Sequence, residues 1–390
     1  MDPQDSKPNA ELACNPAFPH LAVWDFAGLL LTYWCSARCA FCYVNAGPEH
    51  AGAPDMPLGS ALRWWRELTE LAAGHGRQMR IHLAGGEPFR DWVRLAALLR
   101  AARDAGLPPV EKIETNAFWA TDDAVTRARL ELLAALGVER LVVSSDVFHQ
   151  EFVPFERVRR CAEIARDVFG RAGFARAGGA PPGGGHARPR VVVRWWDFYQ
   201  NPVDTRGLSP DERGDVFRRA LLRHRERLNG RAAVMLAPLL PLRPAATFAG
   251  QACAAEVLQS RHVHIDPGGH VFPGTCAGVI LGRAASDAPE GAGGRSLAVL
   301  REDLRTGWPR HPVLGPVVGG GPVALLERVR ALGYVEKPGY ADKCHLCADI
   351  RQWLARQGLW REAVGPREWV VQDCAPYGGE NDAGGIAGPK

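Results

Sequence analysis

Hydrophobic runs of strand length alternate with amphipathic segments of helical period along the first 245 residues. The runs predict six strands, at residues 26–34, 79–88, 110–118, 138–146, 190–199 and 231–240. Helical periodicity between the runs predicts five connecting helices, at residues 60–73, 91–106, 121–137, 155–170 and 209–230. Alternation repeated this often favours a parallel α/β sheet. We therefore predict a partial (β/α)6 TIM-like barrel over residues 26–245.

Polar and small residues at the ends of these segments predict where the helices begin and end. Ser60, Thr121 and Ser209 are expected to be N-caps, because their hydroxyl groups can accept a hydrogen bond from a free backbone N–H of the first turn. Gly106 and Gly137 are expected to end two of the helices. The basic stretch RHRER, at residues 223–227, falls within the last predicted helix and is expected to form a solvated face.

The alternation stops at about residue 246, which predicts a second, smaller domain over residues 246–360. A short helix is expected there, followed by a β-hairpin whose turn is Asp266-Pro267-Gly268-Gly269. Residues 1–25 are expected to be an N-terminal extension and residues 361–390 a Gly-rich tail. The Gly/Pro-rich stretch 178–190 and residues 286–294 are expected to be inserted loops.

The amino-acid composition limits which classes of protein this chain can belong to. Hydrophobic residues make up 46% and charged residues 23% of the chain, values that are ordinary for a soluble protein. The net charge of +4 gives no strong signal for a polyanionic partner, so neither nucleic acid nor a membrane is expected to bind. The first residues lack the basic-then-apolar order of a signal peptide. Ten cysteines in a chain expected to be cytoplasmic point to metal or redox chemistry.

Three of these cysteines follow the first strand directly. Cys35, Cys39 and Cys42 have CxxxCxxC spacing. Iron–sulfur clusters are normally closed by four cysteines, so three thiolates on one loop suggest a cluster with one iron open to another ligand. A zinc site is the alternative, but it usually shows paired CxxC or Cys/His spacing with four ligands.

Polar motifs also stand at the ends of the later predicted strands, where the active sites of parallel barrels lie. Two glycines, Gly85 and Gly86, precede Glu87 and Pro88 after the second strand. Such a turn lets a ligand approach the backbone closely and is expected to leave amide N–H groups exposed. The other motifs at strand ends are Thr115-Asn116, Ser144-Ser145-Asp146 and Arg194.

CxxxCxxC followed one strand later by GGEP resembles the radical S-adenosylmethionine (SAM) superfamily. The resemblance implies that Cys35, Cys39 and Cys42 hold a [4Fe–4S] cluster that binds SAM, with Phe41 beside its open corner. It further implies contacts to SAM from a set of residues at the strand ends: Gly85, Gly86, Glu87, Thr115, Asn116, Ser145 and Arg194. The sequence departs from the family at Ala117, because the family often carries T-N-G where this chain has T-N-A.

Residues at the mouth of the predicted barrel are candidates for orienting the substrate or removing a proton from it. Asp146 and His149 follow the fourth strand, and Tyr199 follows the fifth. Groups of this kind could orient a polar substrate or remove a proton after radical formation. A lone histidine is more often structural, so a structural role for His149 stays open.

A second cysteine set lies in the C-terminal region: Cys253, Cys276, Cys344 and Cys347. A hairpin plus a distant CxxC resembles the twitch domain, the one-cluster relative of the SPASM extension, which implies an auxiliary [4Fe–4S] cluster. Spacing alone leaves a structural zinc site open. Cys374 would be an extra ligand or a free thiol.

The resemblance implies a radical SAM oxidoreductase or maturase. SAM would be cleaved reductively to a 5′-deoxyadenosyl radical, which abstracts a substrate hydrogen, and the auxiliary cluster would then oxidise the substrate radical. The expected substrate is a small metabolite. The alternatives are a ribosomally made peptide to be crosslinked or epimerised, and a non-catalytic zinc or iron–sulfur scaffold. Flavodoxin or ferredoxin is the expected kind of electron donor.

Overall fold

A nine-stranded sheet forms the centre of the computed structural model, which describes residues 19–170, 174–176, 189–286 and 294–372. The strands are β1 (Phe26–Leu30), β2 (Arg80–Ala84), β3 (Val110–Thr115), β4 (Leu141–Ser144), β5 (Phe174–Arg176), β6 (Val191–Arg194), β7 (His262–Ile265), β8 (His270–Pro273) and β9 (Gly282–Arg283). Their order in the sheet is β5-β6-β4-β3-β2-β1-β7-β8-β9.

The α-helices of the described residues lie mostly between these strands. They are α1 (Leu58–Ala73), α2 (Trp92–Asp104), α3 (Asp123–Ala135), α4 (Val147–Gln150), α5 (Phe155–Phe169), α6 (Trp196–Gln200), α7 (Pro210–Arg223), α8 (Ala232–Met235), α9 (Ala254–Val257), α10 (Leu297–Gly307), α11 (Leu314–Arg330), α12 (Lys343–Arg356) and α13 (Arg367–Val370). None of the helices described is long and apolar enough to cross a membrane.

The direction of the strands confirms the predicted α/β class. Every neighbouring pair from β5 to β7 is parallel, and only the β7–β8 and β8–β9 pairs are antiparallel. One face of the parallel strands is apolar, and Leu29, Ile81, Ile113 and Val143 are fully buried there. The opposite face carries polar side chains, among them His82 and Glu114. The carboxyl ends of these strands meet at one edge of the sheet.

The sixth strand was predicted in the wrong place. Residues 231–240 form helix α8 and a short 3-10 turn, Ala237–Leu239. Ala and Met favour a helix, and Pro238 cannot donate to a strand ladder. The place beside β1 is taken by β7, which pairs with it in parallel. The predicted hairpin, β7–β8, is confirmed, but its first strand continues the barrel sheet across the boundary predicted at residue 246.

Smaller differences occur after β4 and β6. Each strand is followed at once by a short helix, α4 or α6, where the hydrophobic pattern predicts strand or loop. Strand β5 was not predicted. Helix α7 ends at Arg223, so the basic stretch after it lies outside the helix.

The helix caps confirm some of the predicted starts. Ser209 caps α7 in a capping box with Glu212. Ser60 lies inside α1, which begins at Leu58, so it is not a cap. The cap of α3 is Asp122 rather than Thr121, since the Asp122 carboxylate accepts a hydrogen bond from Val125 N at 2.9 Å.

Some parts of the predicted organisation lie outside the described residues. These are residues 1–18 of the N-terminal extension, most of the insert at 178–190, residues 287–293 of the second loop, and the tail from residue 373, including Cys374.

Asp122→Ala is expected to lower the free energy of unfolding by about 1 kcal/mol, because the α3 cap would be lost. Thr121→Ala is the matched control one residue earlier, and it should change that free energy by less than about 0.5 kcal/mol. Urea unfolding followed by circular dichroism measures both. Equal losses in the two variants would contradict the assignment of the cap.

Candidate functional site

The cysteine loop directly follows β1 and carries Cys35, Cys39 and Cys42. Cys35 and Cys39 are buried, whereas Cys42 is partly exposed. Backbone N–H groups point at two of the sulfurs, since Ala37 N donates to Cys35 Sγ at 3.4 Å and Ala46 N to Cys42 Sγ at 3.3 Å. Donors of this kind stabilise metal-bound thiolates and tune iron–sulfur clusters. The loop therefore fits a cluster ligated by three cysteines.

Burial by itself works against thiolate formation in this loop. It raises the pKa of Cys35, and the nearby charge of Glu87 raises it further. Burial and then the charge of Cys35 raise the pKa of Cys39. A thiol that coordinates a metal is deprotonated. Metal binding would therefore supply the positive charge that stabilises the thiolates.

A buried arginine just before helix α8 binds the cysteine loop. Arg231 is 1% exposed, and its guanidinium donates to the carbonyl oxygens of Cys39 at 2.9 Å and Ala46 at 2.8 Å. It also donates to Asn45 Oδ1 at 2.9 Å. Because five donors in a rigid fork suit several acceptors at once, one side chain holds both ends of the loop. Arg231 was missed in the sequence because residues 231–240 were predicted as a strand.

The glycine turn after β2 packs directly against the chain that leads into the cysteine loop. Gly86 N donates to Thr32 O at 2.6 Å and Glu87 N to Trp34 O at 2.8 Å. A Cβ on Gly86 would lie 2.0 Å from Trp34 O, so only glycine permits this approach. The glycines are thus explained by contact between two backbones. The prediction that the turn leaves its amides exposed is wrong for Gly86 and Glu87.

The carboxylate of Glu87 joins this turn to the end of β3. It accepts hydrogen bonds from Thr115 Oγ1 at 2.8 Å, from Asn116 N at 2.8 Å and from Phe89 N at 3.2 Å. Burial raises the pKa of Glu87 to about 7 even though these bonds favour the ionised form. Asn116 continues the connection, because its Nδ2 donates to Cys35 Sγ at 3.4 Å.

Ala117 occupies the position where the resemblance leads one to expect glycine. Its φ of 65° lies in the left-handed region, and the residue is fully buried. The Thr115 hydroxyl accepts a hydrogen bond from Ala117 N at 3.0 Å and thereby stabilises the turn. The turn therefore forms with an alanine at a position that favours glycine.

A cavity of about 350 Å³ opens beside the cysteine loop. This volume is within the range of sites for small molecules and cofactors. The cavity brings together most of the predicted site residues: Cys35, Cys39, Phe41, Cys42, Gly85, Gly86, Glu87, Thr115, Asn116, His149 and Arg194.

Three predicted residues do not line this cavity. Ser145 is fully buried, and its neighbour Ser144 lines the cavity instead. Asp146 is also fully buried, where it caps α4 and binds His149 Nδ1 at 2.7 Å. Tyr199 packs against Phe155 and Trp196, away from the cavity lining.

Comparison with known proteins indicates the class of domain. Residues 29–174 match the model of the Radical SAM superfamily. These residues are therefore similar to a radical SAM domain. The superfamily indicates an enzyme and implies SAM and a [4Fe–4S] cluster as cofactors. No curated protein matches the sequence.

Solved structures with some similarity bear the description anSMEcpe. "Native anSMEcpe with bound AdoMet" is 12% identical, with a TM-score of 0.37, and the match covers 85% of this chain and 97% of that one. "Native anSMEcpe with bound AdoMet and Cp18Cys peptide" is 10% identical, with a TM-score of 0.35, over 86% and 98%. A histidine-tagged form of anSMEcpe with bound AdoMet is 11% identical, with a TM-score of 0.32, over 64% and 71%. At these scores the fold assignment depends on the strand order and not on these structures.

One wall of the cavity pairs an acid with an imidazole. His149 lines the cavity, and its Nδ1 is held by the carboxylate of Asp146. Burial alone would raise the pKa of Asp146, but His149 and Arg194 outweigh it, so the pKa is lowered and the carboxylate stays ionised. An imidazole oriented by a carboxylate is suited to proton transfer. Phe41 lies beside it, with ring centroids 5.5 Å apart.

Charged residues that were not predicted to belong to the site also line the cavity: Glu114, Arg225, Glu226 and Arg227. Arg194 donates to Glu226 at 2.9 Å, and Glu114 lies one residue before Thr115 on β3. Arg225 and Arg227 also line the cavity, although they were predicted to form a solvated helix face. The early end of α7 turns this stretch toward the cavity, and no local sequence signal marks that end.

The second cysteine set lies outside residues 29–174, so the superfamily match does not bear on it. Cys253 begins α9, Cys276 follows β8, and Cys344 and Cys347 lie in the first turns of α12. Burial and then the charge of Cys347 raise the pKa of Cys253 to about 12, with Cys276 contributing further. Burial, and then the charges of Asp342, Cys276 and Cys347, raise the pKa of Cys344. Cys347 thus influences the pKa of each of the other three thiols.

Gly86→Ala is expected to destabilise the site, since its Cβ would meet the Trp34 carbonyl oxygen at 2.0 Å. We expect the free energy of unfolding to fall by about 1–3 kcal/mol and less iron to be incorporated per chain. Gly207→Ala is the control, because nothing lies within 4 Å of the added Cβ. Urea unfolding and iron analysis measure the two effects. Equal behaviour of both variants would contradict the close backbone approach.

Proposed function

We propose that this protein is a radical SAM enzyme that cleaves SAM reductively and abstracts a hydrogen atom from a substrate bound in the cavity. The observation that carries the proposal is the convergence of three features within residues 29–174: the three-cysteine loop, the glycine turn and the end of β3 around one cavity. A scaffold protein would not need a ligand-sized cavity beside its cysteines.

Cys35, Cys39 and Cys42 would hold the SAM-binding cluster. When bound and reduced, the cluster supplies the electron that splits SAM into methionine and the 5′-deoxyadenosyl radical. Asn116 Nδ2 and the backbone N–H groups of Ala37 and Ala46 donate to the sulfurs and would stabilise the thiolates.

Two charged side chains would orient SAM. Glu87 lines the cavity, and a bound ammonium group would favour the ionised form of its carboxylate. Arg194 lines the cavity near Phe41, with its guanidinium 5.7 Å from the ring centroid. The planar guanidinium of Arg194 would suit a ligand carboxylate, which would replace Glu226 as its partner.

Aromatic side chains form an apolar wall of the site. Phe41 stacks on Phe148, with ring centroids 5.2 Å apart, and Trp195 lies 6.1 Å from Phe41. Apolar rings beside the cysteines would exclude water from reactive species. His149, held at Nδ1 by Asp146, would use Nε2 to take a proton released by substrate oxidation.

The charged lining favours a polar substrate. Glu114, Glu226, Arg225 and Arg227 stand around the cavity together with Asn229. Groups of both signs at close spacing suit a small metabolite rich in hydroxyl or amino groups. The alternative, maturation of a ribosomally made peptide, would use the same radical step.

The second cysteine set would hold an auxiliary [4Fe–4S] cluster that accepts the electron of the substrate radical. Support comes from its position, because Gly274 and Thr275, immediately before Cys276, line the same cavity. Arg227 donates to Thr275 Oγ1 at 3.1 Å and thereby links the two regions. Flavodoxin or ferredoxin would deliver the first electron, and a reducing cytoplasm would suit both clusters.

The test of the proposed function is anaerobic reconstitution followed by SAM and dithionite. The wild-type protein is expected to form 5′-deoxyadenosine, measured by liquid chromatography. A variant in which Cys35, Cys39 and Cys42 are all alanine should form none. Cys161→Ala is the matched control, since this buried thiol lies in α5 outside both sets, and it should retain activity. No 5′-deoxyadenosine from well-reconstituted wild-type protein would refute the function.

Replacing Cys253, Cys276, Cys344 and Cys347 by alanine tests the auxiliary cluster. Iron is expected to fall from about eight to about four per chain, since each cubane carries four irons, while uncoupled SAM cleavage partly persists. If the set is instead a zinc site, wild-type protein will hold about four irons and the variant will lose zinc rather than iron.

A further inference from the structure

Three histidines meet on one face of the barrel sheet, apart from the cysteines and from the cavity lining. His82 belongs to β2, whereas His262 and His264 belong to β7. Strand β1 runs between them, and its Gly28 pairs in register with both His82 and His264. The three side chains therefore converge across a glycine.

Glycines make room for the imidazole rings. A Cβ on Gly28 would lie 2.3 Å from His82 Nε2 and 2.7 Å from His264 Nε2. A Cβ on Gly274 would lie 2.3 Å from His262 Nδ1. Glycine inside a strand weakens it, so its use at the one residue between two histidines indicates that the space is needed.

The nitrogen atoms have the spacing of a metal site. One ligand atom from each histidine lies within 4.8 Å of the other two. His82 Nε2 and His262 Nε2 share a hydrogen bond at 2.9 Å, which a bound ion would replace. In the part of the chain that the structure describes, no other group of three His, Cys, Asp or Glu side chains meets this spacing.

Two buried nitrogen atoms of the cluster lack hydrogen-bond partners. Within the described residues, the Nδ1 atoms of His82 and His264 have none. Each of these rings has a second nitrogen that could bind a metal.

Charged and polar groups surround the cluster in the manner of a second coordination shell. Glu114 Oε1 lies 3.6 Å from His82 Nδ1, a carboxylate behind a ligand imidazole. Lys112 is ion-paired with the same carboxylate. This pairing offsets the repulsion between the Lys112 ammonium group and a bound cation. Tyr43 Oη lies 3.4 Å from His264 Nε2. Glu114 and Tyr43 also line the cavity, so the cluster lies just beneath its floor.

We propose that His82, His262 and His264 bind one divalent transition-metal ion, such as Zn²⁺, that links β2 to β7 across β1. Imidazole ligands suit zinc, cobalt, nickel and copper. A tetrahedral ion would keep one position for water. The site goes beyond the proposed radical function and does not depend on it, because it shares no ligand with either cysteine set.

The test is anaerobic titration of chelator-treated, reconstituted protein with Co²⁺ and with Zn²⁺. Wild-type protein is expected to bind about one Co²⁺ more than the His262→Gln variant, and the difference spectrum of the two proteins should show ligand-field absorption without thiolate-to-metal charge-transfer bands. Cobalt bound to cysteines that hold no cluster contributes equally to both proteins and cancels in the difference, so a failure of the proposed function can be told from a failure of this site. X-ray absorption of the zinc form should show nitrogen at about 2.0–2.1 Å.

His262→Gln and His264→Gln should each weaken Co²⁺ binding at least tenfold, and Glu114→Gln about tenfold. His75→Gln is the control, since His75 lies after α1 and contacts Leu71 O, and it should bind as wild type does. Zn²⁺ should raise the melting temperature of wild type and His75→Gln but not of His262→Gln. His262 is the partly exposed member of the cluster, and circular dichroism checks that its variant folds.

Thiolate bands in the difference spectrum, no binding by wild type, or equal binding by wild type and the two histidine variants would each overturn the proposal. If the histidine variants fail to fold, Glu114→Gln decides alone, since a tenfold loss of Co²⁺ affinity supports the site and an unchanged affinity refutes it.

Discussion

The contact on which the site depends is the hydrogen bonding between the glycine turn after β2 and the chain just before Cys35. Gly86 N and Glu87 N bind the carbonyl oxygens of Thr32 and Trp34. These bonds continue the pairing of β1 and β2 past the ends of the strands. Since the Glu87 carboxylate also holds Thr115 and Asn116, the ends of three neighbouring strands form one hydrogen-bonded unit. The cysteine loop rests on this unit.

Arg231 completes the support from the other side. Its buried guanidinium binds carbonyl oxygens on both sides of Cys42, so the loop is held between the strand ends and the start of helix α8. Burying an arginine is costly unless its donors are paired, and the loop supplies acceptors for Nη1 and Nη2. These bonds fix the shape of the loop, which is the condition for placing a cofactor accurately.

The pairing of β7 with β1 connects the two halves of the chain. It carries the hairpin, and with it Thr275 and Cys276, to the edge of the cavity. The same pairing places His262 and His264 opposite His82. One strand pairing therefore supports both the proposed auxiliary cluster and the proposed metal site.

Local chemistry in the sequence was sufficient for the parts of the site that lie close together in the chain. The spacing of Cys35, Cys39 and Cys42, the glycine turn and the strand–helix alternation each depend on neighbouring residues, and the fold confirms the α/β class. Most of the predicted ligands meet at the cavity because the carboxyl ends of parallel strands share one edge. Ser145 and Tyr199 do not line the cavity, because Ser145 is fully buried after β4 and Tyr199 stacks on Trp196 within α6.

What only the tertiary structure decided involves residues far apart in sequence. His82 and His262 are separated by 180 residues, and nothing in the local pattern pairs β7 with β1. Arg231 and the Arg225–Arg227 stretch look ordinary in the sequence, because their role depends on where α7 ends and on what α8 packs against. Short-range periodicity determines which segments are strands and helices, but the burial of side chains between distant segments determines which strand lies beside β1.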